Sequence, residues 1–221
     1  MSNPSLPLIV ANLKANKTWD EVSAWIDEVA ATAQNFTGTV IFCPSYPFLS
    51  SAYQKIFQNS INIKLGSQDV SKFEQGAYTG EVAASQISGI CQFAIIGHCE
   101  RRQNFKEDEK TLKQKVQNAK KTNIEPIFCV QDEQTPIPES IKIVAYEPVF
   151  AIGTGDPDKP ENIQSVAQKI KTKGPQTILY GGSVSVENVK QFVKENISGV
   201  LVGATNSLDA QKFTGIINKL Q

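Results

Sequence analysis

Short apolar segments alternate along the chain with longer segments in which apolar residues recur at helical spacing. The apolar segments are rich in Ile, Val and Phe and carry few polar residues, which is typical of parallel strands that are buried on both faces. The pattern therefore predicts eight strands. They cover 8–14, 39–44, 61–68, 93–98, 124–130, 141–148, 176–183 and 199–205.

The amphipathic segments between these strands predict helices. Thr18 is followed three positions later by Glu21, which is a capping-box pattern at a helix start. The segment 108–121 begins with acidic residues and ends with lysines, an order that suits the helix dipole. The predicted helices cover 19–34, 50–58, 108–121, 162–171, 186–196 and 209–220.

Eight strands alternating with helices favour an α/β fold with one closed (β/α)8 barrel, and we expect residues 1–221 to form this single domain. An open doubly wound sheet is the alternative. That fold usually carries a GxGxxG motif after its first strand, where this chain has NLKANK at 12–17. The barrel is therefore the preferred prediction.

Two connections break the regular spacing of the barrel. The segment 66–81 shows no helical periodicity, and long connections of this kind are usually functional or interfacial. Strands five and six are separated only by the segment 131–140, whose two prolines are incompatible with a normal barrel helix. We therefore expect a shortened barrel without its fifth helix, and a thinly covered outer face on strand five.

Composition and charge narrow the function classes. The chain has 22 Lys and Arg against 22 Asp and Glu, so its formal net charge of zero gives no electrostatic case for nucleic acid or an anionic membrane. The N-terminal segment 1–14 lacks the basic region of a secretory signal, and no stretch approaches the roughly 18 apolar residues of a membrane span. The four cysteines form no CxxC pair, so we expect buried, reduced thiols and a cytoplasmic protein.

Several chemically active side chains stand where the predicted strands end. In parallel barrels the functional site collects at the C-terminal ends of the strands. Strand one ends with Asn12 and Lys14, strand four with His98 and strand six with Glu147, which Pro148 restricts to extended backbone. Each residue alone is more often structural. Together on one rim, the lysine, the imidazole and the carboxylate indicate a catalytic site.

Strands seven and eight both end in small residues. Gly181, Gly182 and Ser183 follow strand seven, and Gly203 and Ala204 follow strand eight. Such turns let backbone N–H groups approach an anion, and the loops after these two strands are the recurrent phosphate site of this architecture. The same rim is therefore expected to bind a phosphate group.

Five segments lie at the predicted strand ends: NLK at 12–14, IIGHCERR at 95–102, YEPVFAIGTG at 146–155, YGGSV at 180–184 and GVLVGAT at 199–205. In this order and spacing they resemble the signature segments of the triosephosphate isomerase family. The resemblance implies the interconversion of dihydroxyacetone phosphate and D-glyceraldehyde 3-phosphate through an enediolate, within glycolysis and gluconeogenesis, without a cofactor or metal. A further segment, GAYTGE at 76–81, resembles the interlocking loop of that family, which implies a homodimer formed through loop 66–81.

The resemblance also implies a role for each site residue. Glu147 would be the general base, and neutral His98 would polarise the substrate carbonyl, which is the division of labour in this family. Lys14 would stabilise the enediolate, with Asn12 beside it and Glu100 as the partner of the lysine. The backbone N–H groups expected to hold the phosphate are those of Gly153, Ser183, Gly203 and Ala204.

The chain departs from the family pattern at four positions. Phe150 replaces a usual tryptophan at the expected lid hinge, where it would remain an aromatic anchor, and Cys99 replaces a usual serine. Ala204 replaces a common glycine and Asp69 a usual asparagine. Two other functions stay open from sequence alone: another phosphate-binding barrel isomerase that acts on a larger sugar phosphate, and a barrel retained as a non-catalytic binding module.

Overall fold

The computed structural model describes residues 4–221, and within them eight parallel strands close into one barrel. The strands pair in chain order, and β8 returns to β1, so that Leu8 lies opposite both Thr39 and Gly199. The predicted barrel is confirmed, and the open sheet is excluded. The strands are β1 (Leu8–Asn12), β2 (Thr39–Cys43), β3 (Lys64–Ser67), β4 (Phe93–Ile96), β5 (Glu125–Val130), β6 (Ile143–Tyr146), β7 (Thr177–Tyr180) and β8 (Gly199–Val202).

Six of the helices lie where the sequence predicts them, although the predicted helix 186–196 forms only over four residues. At the first helix, the carboxylate of Glu21 accepts from the N–H of Thr18 at 2.7 Å, as the capping box requires. Three short helices were not predicted, because they are too short to show a period. The helices are α1 (Trp19–Asn35), α2 (Leu49–Gln58), α3 (Ala84–Ile87), α4 (Cys99–Phe105), α5 (Glu109–Lys121), α6 (Pro160–Lys171), α7 (Val189–Phe192), α8 (Ala204–Leu208) and α9 (Ala210–Lys219).

The core has two layers because successive strand residues point to opposite faces of the sheet. Residues such as Val10 and Ile127 fill the inside of the barrel. Residues such as Phe42 and Phe128 face outward and pack with the helices. In this outer layer the ring of Trp25 stacks on that of Phe42 at 4.4 Å between centroids. Because the two layers stabilise the barrel, the loops at its C-terminal rim can carry functional side chains.

The connection between β5 and β6 contains no helix among the described residues, as predicted. The expectation of a thinly covered strand is wrong, because the outward residues Phe128 and Val130 are only 2% and 0% exposed. The guanidinium of Arg102 lies 5.6 Å from the ring centroid of Phe128 and donates to the carbonyl of Cys129 at 3.0 Å. Ile137, in the connection, packs against the same outer core. The side chains of Arg102 and Ile137 thus help to cover the outer face of β5 in place of the missing helix.

The long connection after β3 has neither helix nor strand from 68 to 83, as its lack of periodicity predicts. Its tip is ordered by the rings of Phe73 and Tyr78, which stack at 3.9 Å between centroids, and Tyr78 is 44% exposed. Within the described residues no helix is sufficiently long and apolar to cross a membrane. Residues 1–3 of the expected domain and N-terminal segment lie outside the described range.

A buried charge cluster lies at the base of this connection. The carboxylate of Asp69 lies 2.5 Å from Lys115 Nζ and 2.9 Å from Arg101 Nε. Glu107 contacts the same two cations at 2.6 and 2.7 Å. Burial raises the pKa of Asp69 to about 6 from its usual 3.8, against the opposing effect of Lys115 and Arg101.

Replacing Asp69 by asparagine is expected to reduce the pH dependence of stability. Because the carboxyl pKa is higher in the folded state, Asp69 binds its proton more tightly there, and its contribution to stability is lost as pH rises toward about 6. As the pH rises from about 4 to about 7, the free energy of unfolding of the parent should therefore fall by about 2 kcal/mol more than that of Asp69→Asn. Urea unfolding at both pH values measures this difference, and the exposed Asp20→Asn is the matched control. Parallel pH profiles for Asp69→Asn and the parent would contradict it.

Candidate active site

A cavity of about 380 Å³ opens at the C-terminal rim of the barrel. The structure brings Lys14, His98 and Glu147 together in its lining, although they follow three strands that are far apart in the sequence. Two other predicted residues stand behind the lining: Asn12 and Glu100 both contact Lys14. The predicted phosphate-binding residues that line the cavity are Gly153, Ser183, Gly203 and Ala204.

His98 occupies the N-cap position of α4, and the residue is 5% exposed. The backbone N–H of Glu100 donates to its Nδ1 at 3.2 Å, so Nδ1 acts as an acceptor and carries no proton. The hydrogen bond therefore assigns the ring proton to Nε2, which lies 3.3 Å from Glu147 Oε1. A neutral imidazole in this tautomer presents an N–H donor next to the carboxylate.

Glu147 follows β6 directly, and its backbone N–H donates to the carbonyl of Val130 at 2.8 Å. The residue is only 1% exposed, and its Oε2 has no hydrogen-bond partner within residues 4–221. A buried carboxylate oxygen without a partner is costly, which is typical of a group held for a reaction. Gly181 leaves room for this side chain, because a Cβ there would lie 2.8 Å from Glu147 Cγ.

Lys14 has left-handed backbone with φ of 53°, a conformation that is uncommon and strained outside glycine. Its N–H donates to Asn12 Oδ1 at 3.0 Å. Its carbonyl accepts from Ser45 Oγ at 2.9 Å and from Gln68 Nε2 at 2.8 Å. Its ammonium pairs with the carboxylate of Glu100. Sequence reasoning missed Ser45 and Gln68, which hold this strained backbone from two neighbouring strand ends.

The segment 149–155 lies against the loop after β7. The hydroxyl of Ser183 donates to the carbonyl of Ala151 at 2.6 Å and accepts from the N–H of Gly155 at 3.0 Å. Tyr180 Oη accepts from the N–H of Asp158 at 3.0 Å, which ties down the far end of the segment. Sequence reasoning missed Tyr180. Its polar hydroxyl at the end of a buried strand, immediately before the glycine turn, was the available signal.

Phe150 and Cys99, two of the residues that depart from the family pattern, differ in their exposure to solvent. Phe150 is 65% exposed, so the expectation that it anchors the hinge is wrong for this arrangement of the segment. Cys99 is 6% exposed, with Sγ 3.8 Å from His98 Nδ1. Burial raises the pKa of the Cys99 thiol to about 12, with Glu147 and Glu100 adding to the effect. All four cysteines are free and buried, as predicted.

The chain is similar to known proteins over nearly its whole length. A family model described as Triosephosphate isomerase matches residues 7–142 and 137–220. The chain belongs to the triosephosphate isomerase family. Curated relatives named triosephosphate isomerase come from Mesomycoplasma hyorhinis, with 36% identity over 96% of this chain and 98% of the relative, and from Aquifex aeolicus, with 34% identity over 95% and 98%.

A third relative, the triosephosphate isomerase of Hahella chejuensis, is 34% identical over 95% of this chain and 96% of its own length. The alignment with the Mesomycoplasma relative spans 242 positions, which exceeds the 221 residues of this chain. The alignment therefore contains gaps in this member of the triosephosphate isomerase family, which agrees with a barrel that lacks one helix.

Proposed function

We propose that this chain interconverts dihydroxyacetone phosphate and D-glyceraldehyde 3-phosphate. The observation that carries the proposal is the convergence of Lys14, His98 and Glu147 on one cavity of about 380 Å³. That volume lies at the small end of ligand pockets, which suits a three-carbon phosphate better than a larger sugar phosphate. Family membership supports the same reaction.

Glu147 is the general base in this proposal. Its carboxylate removes a proton from the carbon next to the substrate carbonyl, and the electron pair of that C–H bond forms the C=C bond of an enediolate. The same carboxylate then returns the proton to the neighbouring carbon, which converts ketose to aldose. Burial of Glu147 supports this role, because a poorly solvated carboxylate is a more effective base.

His98 and Lys14 supply the electrophilic side. The Nε2–H of His98 donates to the carbonyl oxygen as negative charge develops, and it then moves protons between the two oxygens of the enediolate. Lys14 stabilises the same charge through its ammonium, while Asn12 fixes its backbone and Glu100 pairs with it. Donors aimed at developing charge in a site that excludes water are the largest single contribution in many enzymes. The proton transfers need no redox partner, so we propose neither cofactor nor metal.

The phosphate group is proposed to lie at the turns after β7 and β8, which line the cavity with Ser183, Gly203 and Ala204. Left-handed backbone at Ser183 and Ala204, with φ of 47° and 52°, belongs to turns of the kind that turn N–H groups toward an anion. Gly203 leaves room for the side chain of Lys14, because a Cβ there would lie 3.3 Å from Lys14 Cε. The N–H groups of Gly153, Ser183, Gly203 and Ala204 are the proposed donors. The segment 149–155 then acts as a lid, because water would promote loss of phosphate from the enediolate.

Initial rates of the purified chain with each triose phosphate test this proposal directly. We expect turnover in both directions and competitive inhibition by 2-phosphoglycolate, a small anion that resembles the enediolate. Turnover of a larger sugar phosphate alone would favour another barrel isomerase. Binding of 2-phosphoglycolate without turnover of either triose would favour a binding module.

Gly181→Ala is expected to lower kcat by about 10²-fold, since a misplacement of about 1 Å at a reacting group can cost that much. The new Cβ would lie 2.8 Å from Glu147 Cγ and would displace the proposed base. Gly89→Ala is the matched control, because a Cβ there meets nothing within 4 Å. Steady-state rates of both variants decide the point. Equal rates for Gly181→Ala and the control would contradict the positioning of Glu147 by this glycine.

Tyr180→Phe is expected to lower kcat by about 2–10-fold, the value of one hydrogen bond of about 0.5–1.5 kcal/mol. The change removes the acceptor for the Asp158 N–H and loosens the lid. It should also raise the fraction of turnovers that release inorganic phosphate. Parallel assays of isomerisation and phosphate release measure both effects. Tyr53→Phe, outside the cavity, is the control, and a phosphate fraction unchanged from the parent would count against the lid.

We further propose a cytoplasmic homodimer with residues 1–221 as one domain, acting in glycolysis and gluconeogenesis. Four free buried thiols suit a reducing compartment. The loop 66–81 carries the exposed Tyr78 on a stacked aromatic pair, and aromatic residues are enriched at interfaces. No association with nucleic acid or a membrane is proposed. Sedimentation at micromolar concentration is expected to give a dimer, and a monomer alone would contradict it.

A further inference from the structure

The two turns proposed to hold the phosphate follow different strands. Ser183 lies in the turn after β7, and Gly203 and Ala204 lie in the turn after β8. The last paired residues of β7 and β8 that the structure describes are Tyr180 and Val200, so the pairing of these strands ends before either turn begins. One anion can accept hydrogen bonds from both turns only if another contact fixes the distance between them.

Each turn contains a residue in a strained backbone conformation. The φ angle is 47° at Ser183 and 52° at Ala204, and this left-handed region persists outside glycine only where the surrounding structure holds it. Asn188 holds the turn after β7, because its amide donates to the carbonyl of Ser183 at 3.0 Å and accepts from the N–H of Ser185 at 2.8 Å. The turn after β8 therefore needs a support of its own.

Ser207 fixes the turn after β8 on the side away from β7. The residue is fully buried, and its hydroxyl lies 2.8 Å from the carbonyl oxygen of Asn12 and 3.0 Å from that of Ala204. Its own carbonyl accepts from Trp25 Nε1 at 2.9 Å. The short helix α8 is thus fastened to β1 and α1, which leaves its position relative to the turn after β7 to be set by another contact.

We propose that Asn206 is a positioning residue that sets the distance between the two phosphate turns. Its Nδ2 donates to the carbonyl of Val184 at 2.7 Å, and Val184 directly follows Ser183. Asn206 belongs to α8, which begins at Ala204, and both partners of this hydrogen bond line the cavity. Across residues 4–221 it is the only hydrogen bond between the segments 181–185 and 203–208. The inference rests on the phosphate site of the proposed function.

The effect of Asn206 is confined to the phosphate end of the cavity. Its hydrogen bond ends on a backbone carbonyl of the turn after β7. The ionic contacts of Lys14, His98 and Glu147, by contrast, run among these residues and to Glu100. Without the Asn206 bond, the two turns can move apart and misplace their N–H donors. Binding of a phosphate group then weakens, while the groups that act on the carbonyl keep their places.

Calorimetric titration of the full-length chain with 2-phosphoglycolate measures this effect. Asn206→Ala should weaken binding by about 2–10-fold, the usual worth of one hydrogen bond. Asn206→Leu is a second variant, which keeps a side chain of similar size without the donor, and it should show the same loss. Asn196→Ala is the matched control, because the Asn196 amide donates to the carbonyl of Gln164 at 3.4 Å outside the cavity lining. The control should bind 2-phosphoglycolate as the parent does.

Turnover of D-glyceraldehyde, the triose without a phosphate group, separates positioning from general damage to the fold. The parent and Asn206→Ala, corrected for folded protein, should isomerise it at the same slow rate, whereas kcat/KM for the phosphorylated triose should fall in the variant. Parental affinity for 2-phosphoglycolate in both Asn206 variants, or an equal loss of rate with the two trioses, would overturn the role of Asn206. If 2-phosphoglycolate binding depends on Asn206 but the parent turns over no triose phosphate, the proposed function is refuted and the positioning role stands.

Discussion

Glu147→Gln is expected to lower kcat by about 10²–10⁴-fold, which is the usual contribution of a general base. The amide has nearly the shape of the carboxylate, so the packing around the buried side chain should persist, but it cannot accept a proton from carbon. The neighbouring contact to His98 Nε2 can be kept through the amide oxygen. Initial rates with both triose phosphates, corrected for folded protein, measure the loss.

Glu139→Gln is the matched control for this change, because Glu139 is exposed in the connection between β5 and β6. It should retain the rate of the parent. A second variant, Glu147→Asp, keeps the charge but shortens the reach of the base, and it should lie between the parent and Glu147→Gln. A rate for Glu147→Gln within twofold of the control would remove Glu147 from the proposed chemistry.

His98→Gln is expected to lower kcat by about 10²–10³-fold, the cost of losing a correctly placed donor to a developing oxyanion, because the amide N–H group is displaced and cannot move protons between the two oxygens. The loss should fall mainly on kcat, with little change in KM, because the donated hydrogen bond strengthens in the transition state. His98→Asn is a second variant whose short amide suits the N-cap position of α4. Both variants should fold, and both should lose turnover.

The tautomer of His98 has a test of its own. The chain has a single histidine, so a nitrogen-15 spectrum contains one imidazole. The hydrogen bond from the Glu100 N–H requires an unprotonated Nδ1 and a protonated Nε2. The nitrogen shifts of the folded protein at neutral pH should show this form. A proton on Nδ1 would contradict the proposed donation from Nε2 to the substrate.

The positions of the rim residues could be predicted because they follow from strand boundaries. Continuous apolar runs identified eight strands, and a parallel barrel gathers their C-terminal ends on one side. Lys14, His98 and Glu147 stand just past such ends, so their convergence needed no knowledge of side-chain packing. The missing fifth helix could be predicted for a similar local reason, since two prolines fall in a short connection.

The contacts that support the site were not predictable in the same way. Gln68 reaches the carbonyl of Lys14 across 54 positions, and Lys115 reaches Asp69 across 46. Neither pair leaves a periodic pattern in the sequence. The cover of β5 by Arg102 could not be predicted from the local sequence, because Arg102 follows a different strand. Long side chains of this kind bury their stems, and the local sequence does not show which surface they will cover.

Hydrogen exchange at carbon tests the central claim most directly. In deuterated water, the parent chain should introduce deuterium at the carbons that gain and lose the proton, because a carboxylate that holds the proton between transfers can trade it with solvent. Glu147→Gln should lose this exchange in the same proportion as it loses turnover. Exchange at the parental rate in Glu147→Gln would contradict the account, because another group would then be moving the proton.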